Sequence, residues 1–199
     1  MFGDDSLPKA QIGEIAKVGS GATPKKGEAR FYENGTIPWV TSGQLGGPFV
    51  TEHADMITEV ALKETSVKLW PEGTLLVAMY GEGKTRGHCS ELTFSATSNQ
   101  ACAAIVLVEE SPITSTFLKT YLMTQYEQNR RLAAGGVQPN LNLGLIKKMR
   151  VPIAPPEQVD EFEAIVSKVQ AATVGTNAQS LSIDKLFASL QQRAFRGEL

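Results

Sequence analysis

The stretch Val151-Pro152-Ile153-Ala154-Pro155-Pro156-Glu157-Gln158 marks a change of character in the chain. The two adjacent prolines exclude a helix up to that point, and the second of them suits the first position of a helix that follows. No proline occurs in residues 157–193. The stretch therefore predicts a boundary between a domain over residues 1–155 and a long helix over residues 156–199.

The predicted helix carries an apolar stripe whose members recur at alternating steps of four and three residues, the heptad spacing of a coiled coil. A continuous helix here would be about 55 Å long, too long to bury its stripe against one domain of this size. We expect it to pair with a second helix, and its polar centre either sets the register or contacts another protein. The stripe consists of Phe162, Val166, Val169, Thr173, Thr176, Ser180, Ile183, Phe187, Leu190 and Ala194.

Gly175 leaves a second arrangement of this region open. A glycine in a helix interior costs about 1 kcal/mol relative to alanine, so a kink or break at this position is credible. In that alternative, two shorter helices fold back on the domain. The sequence does not decide whether the helix is continuous.

The region before the prolines contains short β-type runs separated by clusters of Gly, Pro, Asn and Ser. Three strands are predicted, at residues 37–40, 75–79 and 103–108. Pro38 places the first of these at a sheet edge or at the start of a strand, because proline cannot donate to a ladder.

Two helices are predicted in the same region. One runs from Thr116 to Leu132, with Ser115 or Thr116 as its cap and a glycine pair after it, and a weaker one covers residues 59–68. Together with the strands, they predict a mixed α/β (α+β) domain with many loops.

The composition is that of a globular protein in water, since 42% of the 199 residues are hydrophobic and 20% are charged. No apolar run approaches the roughly 18 residues of a membrane-spanning helix, and the first residues lack the features of a signal peptide. We therefore expect a cytoplasmic protein in which Cys89 and Cys102 are reduced. The net charge of −2 excludes a generally basic surface, so any basic face is local.

The segment Ala78-Met79-Tyr80-Gly81-Glu82-Gly83-Lys84-Thr85 fits a relaxed P-loop pattern after a predicted strand. A P-loop leads into a helix whose N-terminus faces the nucleotide phosphates. Residues 86–90 contain a glycine and no helical periodicity, so the context does not support nucleotide binding. That function stays an alternative, and an ordinary surface hairpin is a third interpretation.

The residues that most often carry catalysis or bind metals form no recognisable constellation. His53 and His88 are the two histidines, and the adjacent pair His88-Cys89 lacks the spacing that directs two ligands to one ion. No nucleophile motif surrounds either cysteine. We expect no catalytic residues, no metal site and no cofactor bound by this chain itself.

Polar loops supply the remaining candidate site. Asn and Gln can bond bidentately to adenine, and Lys and Arg can bond guanine or phosphate. Each loop alone is also ordinary turn chemistry, because tight turns favour Gly, Pro, Asn and Ser. The candidate DNA-binding residues are Thr23, Lys25, Lys26, Thr41, Ser42, Gln44, Tyr80, Lys84, Thr85, Arg86, Asn99, Gln100, Gln138 and Asn140.

In order along the chain, these segments resemble the specificity subunits of type I restriction-modification systems. The combination is more specific than any single piece, and it runs almost from end to end. The matching segments are Ile12-Gly13-Glu14-Ile15, Gly21-Ala22-Thr23-Pro24, Ile37-Pro38-Trp39-Val40-Thr41, residues 80–87, Ser98-Asn99-Gln100-Ala101, residues 136–142, residues 151–158 and residues 186–199.

The resemblance implies a DNA target-recognition domain followed by a spacer helix that pairs as an antiparallel coiled coil. In that family the unit occurs twice in one subunit, and each domain reads half of a split site in double-stranded DNA. The implied partners are a methyltransferase subunit, which uses S-adenosylmethionine, and indirectly a restriction/translocase subunit that uses ATP and magnesium.

This chain departs from the family pattern because it contains one unit. It is therefore either a natural half-subunit that forms a homodimer through its helix or a fragment of a two-domain subunit. A coiled-coil adaptor without a DNA role is a further alternative.

Overall fold

The computed structural model describes residues 7–81, 85–127 and 140–169. The chain divides into two units, residues 1–156 and 157–199, and each is described by itself. The strands of the first unit are β1 Lys9–Gln11, β2 Ala16–Ser20, β3 Ile37–Val40, β4 Phe49–Val50, β5 Asp55–Ile57, β6 Leu69–Trp70, β7 Leu75–Ala78, β8 Cys89–Leu92, β9 Ala96–Ser98, β10 Cys102–Leu107 and β11 Arg150–Pro152. Its helices are α1 Ile12–Ile15, α2 Glu59–Glu64, α3 Ser115–Thr124 and α4 Leu143–Lys148.

The strands of the first unit form two larger sheets and a small one. The five-stranded sheet has the order β2-β10-β7-β8-β4, the four-stranded sheet has the order β5-β3-β9-β6, and β1 pairs with β11. Both larger sheets are mixed, because β4 runs parallel to β8 and β3 runs parallel to β9, whereas the other pairs are antiparallel. The predicted mixed α/β domain is confirmed.

The main hydrophobic core draws side chains from both larger sheets. Val40 and Trp70 of the four-stranded sheet share one buried cluster with Leu76, Leu92 and Cys102 of the five-stranded sheet. The two sheets therefore pack against each other through this cluster. Burial of this apolar surface is the dominant favourable contribution to folding.

The other face of the four-stranded sheet has a core of its own. Ile37 and Trp39 of β3 lie in a second cluster with Ile57, Ala61 of α2 and Phe31. Neighbouring side chains of a strand point to opposite faces, so β3 contributes to both clusters. This double burial fixes β3 in position, and the end of β3 leads into the candidate site.

The predicted strands are found within a residue or two of their expected ends, as β3, β7 and β10. The edge placement considered for β3 is wrong, because β3 pairs with β5 on one side and with β9 on the other. Pro38 is the second residue of the strand, in agreement with the expected position near a strand start. The Pro38 carbonyl accepts a hydrogen bond from the Thr97 hydroxyl at 2.9 Å.

The predicted helices exist but differ in extent. The helix expected at 59–68 ends at Glu64, because the chain turns into β6. The helix expected from Thr116 begins at Ser115, and its cap is Thr114, whose hydroxyl accepts from the Phe117 N–H at 3.1 Å. Ser115 and Thr116 were therefore wrong as caps. Part of the expected C-terminal half, residues 128–132, lies outside the described residues.

The described part of the second unit is helical, and the helical segment begins at residue 156, as the proline pair predicts. Phe162 and Val166 of the stripe are half-buried, whereas Val169 is 59% exposed and the neighbouring Ile165 is 54% exposed. The remaining stripe positions and Gly175 lie outside the described residues. Pairing with a second helix stays a prediction. None of the helices described here is long and apolar enough to span a membrane.

Candidate functional site

Backbone hydrogen bonds join three loops at one end of the four-stranded sheet. The Ala22 N–H donates to the Ser98 carbonyl at 2.9 Å, which ties the segment after β2 to the end of β9. The Asn99 N–H donates to the Val40 carbonyl at 2.9 Å, which ties the same turn to the end of β3. The polar loops that follow β2, β3 and β9 therefore lie side by side.

Two more loops join this group through Met79, at the end of β7. The Met79 N–H donates to the Ala101 carbonyl at 2.8 Å, and the Leu141 N–H donates to the Met79 carbonyl at 3.1 Å. Five segments that are far apart in the sequence thus meet at one edge of the domain. Main-chain hydrogen bonds hold these segments together, so their proximity does not depend on side-chain bonds alone.

A cleft of about 830 Å³ opens between the loops after β2, β3 and β9, with the start of β5 as a further wall. Its walls are rich in hydroxyl, amide and charged groups. Six of the candidate DNA-binding residues line it, namely Thr23, Lys26, Thr41, Ser42, Asn99 and Gln100.

Three further residues of the cleft, Tyr32, Trp39 and Asp55, were missed from the sequence. The Tyr32 hydroxyl donates to the Pro24 carbonyl at 2.6 Å, and the Trp39 indole donates to the Ala22 carbonyl at 3.0 Å, so both support the loop after β2. Burial, and the negative charge of Asp55, raise the pKa of Tyr32. The phenol is therefore neutral at physiological pH.

The amide side chains of the site use their oxygens inside the protein. Asn99 Oδ1 accepts from the Ala101 N–H at 3.1 Å, and Gln100 Oε1 accepts from the Thr23 hydroxyl at 2.7 Å. Gln44 Oε1 accepts from the Thr41 N–H at 3.0 Å. The bidentate contact with adenine expected of Asn and Gln needs the same oxygens. In this arrangement, the amides offer mainly N–H donors to a ligand.

The two lysines after β2 differ in their surroundings. Lys25 Nζ lies 3.3 Å from Glu28 Oε1, and hydrogen bonds from Lys25 and Arg30 lower the pKa of the Glu28 carboxyl. Lys26 lines the cleft, and no carboxylate of the described residues lies within ion-pair distance of its ammonium group. Lys26 is therefore the better placed of the two to meet an anion in the cleft.

The glycine-rich loop contributes to another part of the surface. Thr85 and His88 line a smaller cleft of about 380 Å³ together with Met123, and Tyr80 is 40% exposed. Arg86 and Asn140 are half-buried. Lys84 and Gln138 lie outside the described residues, so their placement stays a prediction.

The chain on either side of the glycine-rich loop forms a hairpin. β7 and β8 pair antiparallel, with Val77 opposite Cys89, and the Gly87 N–H donates to the Ala78 carbonyl at 2.9 Å. A P-loop requires a helix after the loop, whereas a strand follows here. The pairing of β7 with β8 does not support nucleotide binding at this segment, and contact of the loop with DNA stays a prediction.

The two thiols lie in the core. Burial raises the pKa of Cys89 and the pKa of Cys102 to about 12, so both are protonated at physiological pH. A thiol is a poor nucleophile in that form. Burial also lowers the pKa of the neighbouring His88. No cluster of three or more potential metal ligands occurs in the part of the chain that the structure covers.

A mixed α/β domain whose polar loops meet around an open cleft belongs to the general class of binding domains. Residues 8–182 match the family model described as "Type I restriction modification DNA specificity domain". The match covers most of the chain, and the chain belongs to this family.

Known relatives agree with this assignment. The chain is 24% identical over 192 residues to the "Type I restriction enzyme MjaIX specificity subunit" of Methanocaldococcus jannaschii, covering 93% of this chain and 43% of the relative. It is 38% identical over 78 residues to the "Type I restriction enzyme EcoR124I/EcoR124II specificity subunit" of Escherichia coli, covering 39% of this chain and 19% of the relative.

Solved structures share the fold. The HsdS subunit from Thermoanaerobacter tengcongensis superposes with a TM-score of 0.62 at 15% identity, over 98% of this chain and 46% of that one. The type I S subunit from M. genitalium superposes with a TM-score of 0.55 at 14% identity, over 84% of this chain and 44% of that one. The chain thus spans less than half the length of the relatives it matches.

Proposed function

We propose that this chain reads one half of a split DNA site for a type I restriction-modification enzyme. The observation that carries the proposal is the polar cleft lined by the loops after β2, β3 and β9 and by the start of β5, in a chain of the DNA specificity family. Side chains on loops that a rigid frame holds in place are suited to reading base edges in the major groove.

The chemistry of the cleft supports contact with DNA despite the net charge of −2. The Lys26 ammonium suits a phosphate or a guanine, and the hydroxyls of Thr41 and Ser42 are typical partners of phosphate oxygens. Such contacts position the protein on the duplex. The general attraction for the DNA backbone would then come partly from the other subunits of the enzyme.

The chain itself is proposed to be a non-catalytic subunit in the cytoplasm. A methyltransferase subunit would supply the chemistry of S-adenosylmethionine, and a restriction/translocase subunit would join indirectly. A second recognition unit would come from a homodimer through antiparallel helices, or from a longer protein of which this chain is a part. If the predicted helix is continuous, its length of about 55 Å would exceed one DNA turn of about 34 Å, so two domains would reach separate half-sites. An adaptor without a DNA role would explain the helix but not the loops.

Methylation mapping tests the function directly. The chain is co-expressed with its methyltransferase subunit in a host that lacks adenine methylation, and modified adenines are mapped by single-molecule sequencing. A palindromic motif with a gap of fixed length supports a homodimer, and an asymmetric split motif supports pairing with a different recognition domain. A folded complex of both subunits that methylates no defined motif contradicts the proposal.

Replacing Lys26 with alanine is expected to weaken DNA binding across sequences and to flatten its salt dependence. The slope of log K against log salt should decrease by about 0.9 if the side chain neutralises one phosphate. Fluorescence anisotropy at several salt concentrations measures this for the complex with the methyltransferase subunit. Lys63→Ala on α2, which does not line the cleft, is the matched control. An unchanged slope in Lys26→Ala would remove this residue from the phosphate contacts.

Placing aspartate at Val166 and Val169 together is expected to separate a dimer into monomers, because the change buries charges in the predicted seam. Light scattering after size exclusion should then report the monomer mass of 21.4 kDa rather than twice that mass. Aspartate at Ala164 and Ser167 together introduces the same two charges at exposed positions away from the predicted seam and should leave the dimer intact. If the Val166/Val169 variant remains dimeric, the interface lies elsewhere.

A further inference from the structure

The cleft contains one anionic group among many hydrogen-bond donors. Asp55 is the only carboxylate among its described lining residues. The donors that line the same cleft include the Lys26 ammonium and the amide nitrogens of Asn99 and Gln100, whose oxygens are bonded within the protein. The cleft therefore combines a single carboxylate acceptor with several donors among its described lining residues.

The Asp55 backbone is held on a regular element rather than on a loose loop. Asp55 begins β5 and lies opposite Trp39 of β3, while the preceding residue, Ala54, donates its N–H to the Trp39 carbonyl at 3.0 Å. A recognition group held on a paired strand keeps its geometry better than one on a loop.

The Asp55 carboxylate is only partly satisfied by the protein. Its Oδ1 accepts from the Met56 N–H at 2.8 Å, and no Lys, Arg or His of the described residues forms an ion pair with it. An unneutralised carboxylate beside the DNA backbone is unfavourable, because phosphates carry the same charge. It becomes favourable when a donor on a base edge meets it.

The base edges that offer such a donor in the major groove are the amino groups of cytosine and adenine. Adenine presents an acceptor beside its amino group, and an amide reads that pair with one acceptor and one donor. A carboxylate provides acceptors alone, which match the cytosine N4 amino group. The paired guanine presents two acceptors, O6 and N7, which match the donors of the same cleft.

We propose that Asp55 reads a C·G base pair by accepting a hydrogen bond from the cytosine 4-amino group, while Lys26 or Gln100 faces the paired guanine. The inference rests on the proposed DNA-reading function and assigns one base pair of the half-site. Asp55 is thus a specificity-determining residue.

The test uses the complex with the methyltransferase subunit, first to define the methylated motif with the unchanged chain. Binding is then measured for duplexes in which each cytosine of the motif is replaced in turn by 2-pyrimidinone, which lacks the amino group. The unchanged complex should lose about tenfold in affinity at one cytosine. In Asp55→Ala, removal of that amino group should have no further effect.

Two other variants keep the test decisive. Glu52→Ala removes a nearby exposed carboxylate that does not line the cleft, and it should retain the tenfold effect. Asp55→Asn keeps an oxygen that can accept from the Met56 N–H. It replaces Asp55→Ala in the test if Asp55→Ala is unstable. The loss of affinity caused by removing the amino group at the same cytosine should then be smaller than in the unchanged complex.

The outcomes separate the inference from the function on which it rests. A wild-type complex that selects no motif overturns both. A defined motif whose cytosines all behave alike in wild type and in Asp55→Ala overturns the inference and leaves the function standing.

Discussion

Gly21→Ala is expected to destabilise the protein by about 3 kcal/mol or more and to disrupt the cleft. A Cβ atom at Gly21 would lie 1.7 Å from the carbonyl oxygen and 2.3 Å from the carbonyl carbon of Ser98. That neighbour is main chain, so no side-chain rotation relieves the overlap. The Ala22–Ser98 hydrogen bond and the 3.0 Å bond from the Trp70 indole to Ser98 Oγ would both be strained. Urea unfolding, followed by fluorescence, measures the loss.

Gly46→Ala provides the matched control. No atom lies within 4 Å of a Cβ built at Gly46, and its backbone is not among the positive-φ glycines. The same chemical change should therefore leave the urea midpoint within error, or raise it slightly by restricting the unfolded chain. Equal midpoints for Gly21→Ala and the unchanged protein would show that the two loops do not approach each other as described.

Lys119→Ala is expected to lower the free energy of unfolding by about 3 kcal/mol, because it leaves a carboxylate without its partner. Lys119 on α3 is 5% exposed, and its Nζ lies 2.6 Å from Glu91 Oε2 on β8. The same ammonium lies 3.8 Å from the centre of the Phe49 ring on β4. The group thus joins α3 to two strands of the five-stranded sheet, and chemical denaturation reports its loss.

A double variant distinguishes the effect of the unpaired Glu91 charge from the effect of the lost packing of Lys119. Lys119→Met combined with Glu91→Met removes both charges and should recover more than half of the lost stability. Lys25→Ala removes the lysine of an ion pair whose Lys25 side chain is 78% exposed, and it should leave the unfolding midpoint unchanged. If the double variant is no more stable than Lys119→Ala, packing by the lysine stem is the larger contribution.

Sequence-based prediction was most accurate for the strands that form an uninterrupted run of apolar residues. β7 and the first half of β10 are buried at every position, so both appear as continuous apolar runs. β4 and β6 have two residues each, too few for any periodicity. β8 reads Cys-Ser-Glu-Leu, and Glu91 is stable there because Lys119 reaches it from a distant helix. A partner that is distant in the sequence, such as Lys119, cannot be identified from the local pattern of residues around Glu91.

The sequence singled out those cleft residues that lie in evidently polar loops, such as Thr41, Ser42, Asn99 and Gln100. The sequence missed those cleft residues that reach the cleft only because distant strands pair. Asp55 follows Glu52-His53-Ala54 and resembles any exposed acidic loop, until the register of β5 against β3 places it in the cleft. The orientation of the Asn99 and Gln100 amides likewise could not be predicted from the sequence, because it depends on the Ala101 N–H and the Thr23 hydroxyl as donors.

The bonds that gather the five loops run from main chain to main chain, and this has an evolutionary consequence. Such bonds do not depend on side-chain identity. The exceptions are Gly21, where space is limiting, and Tyr32 and Trp39, whose side chains bond to the loop after β2. Residues such as Lys26, Ser42 or Asp55 can therefore be exchanged one at a time while every intermediate still folds. A lineage could therefore acquire a new DNA target through single substitutions, because the residues that fix the loop positions differ from the residues that would contact the bases.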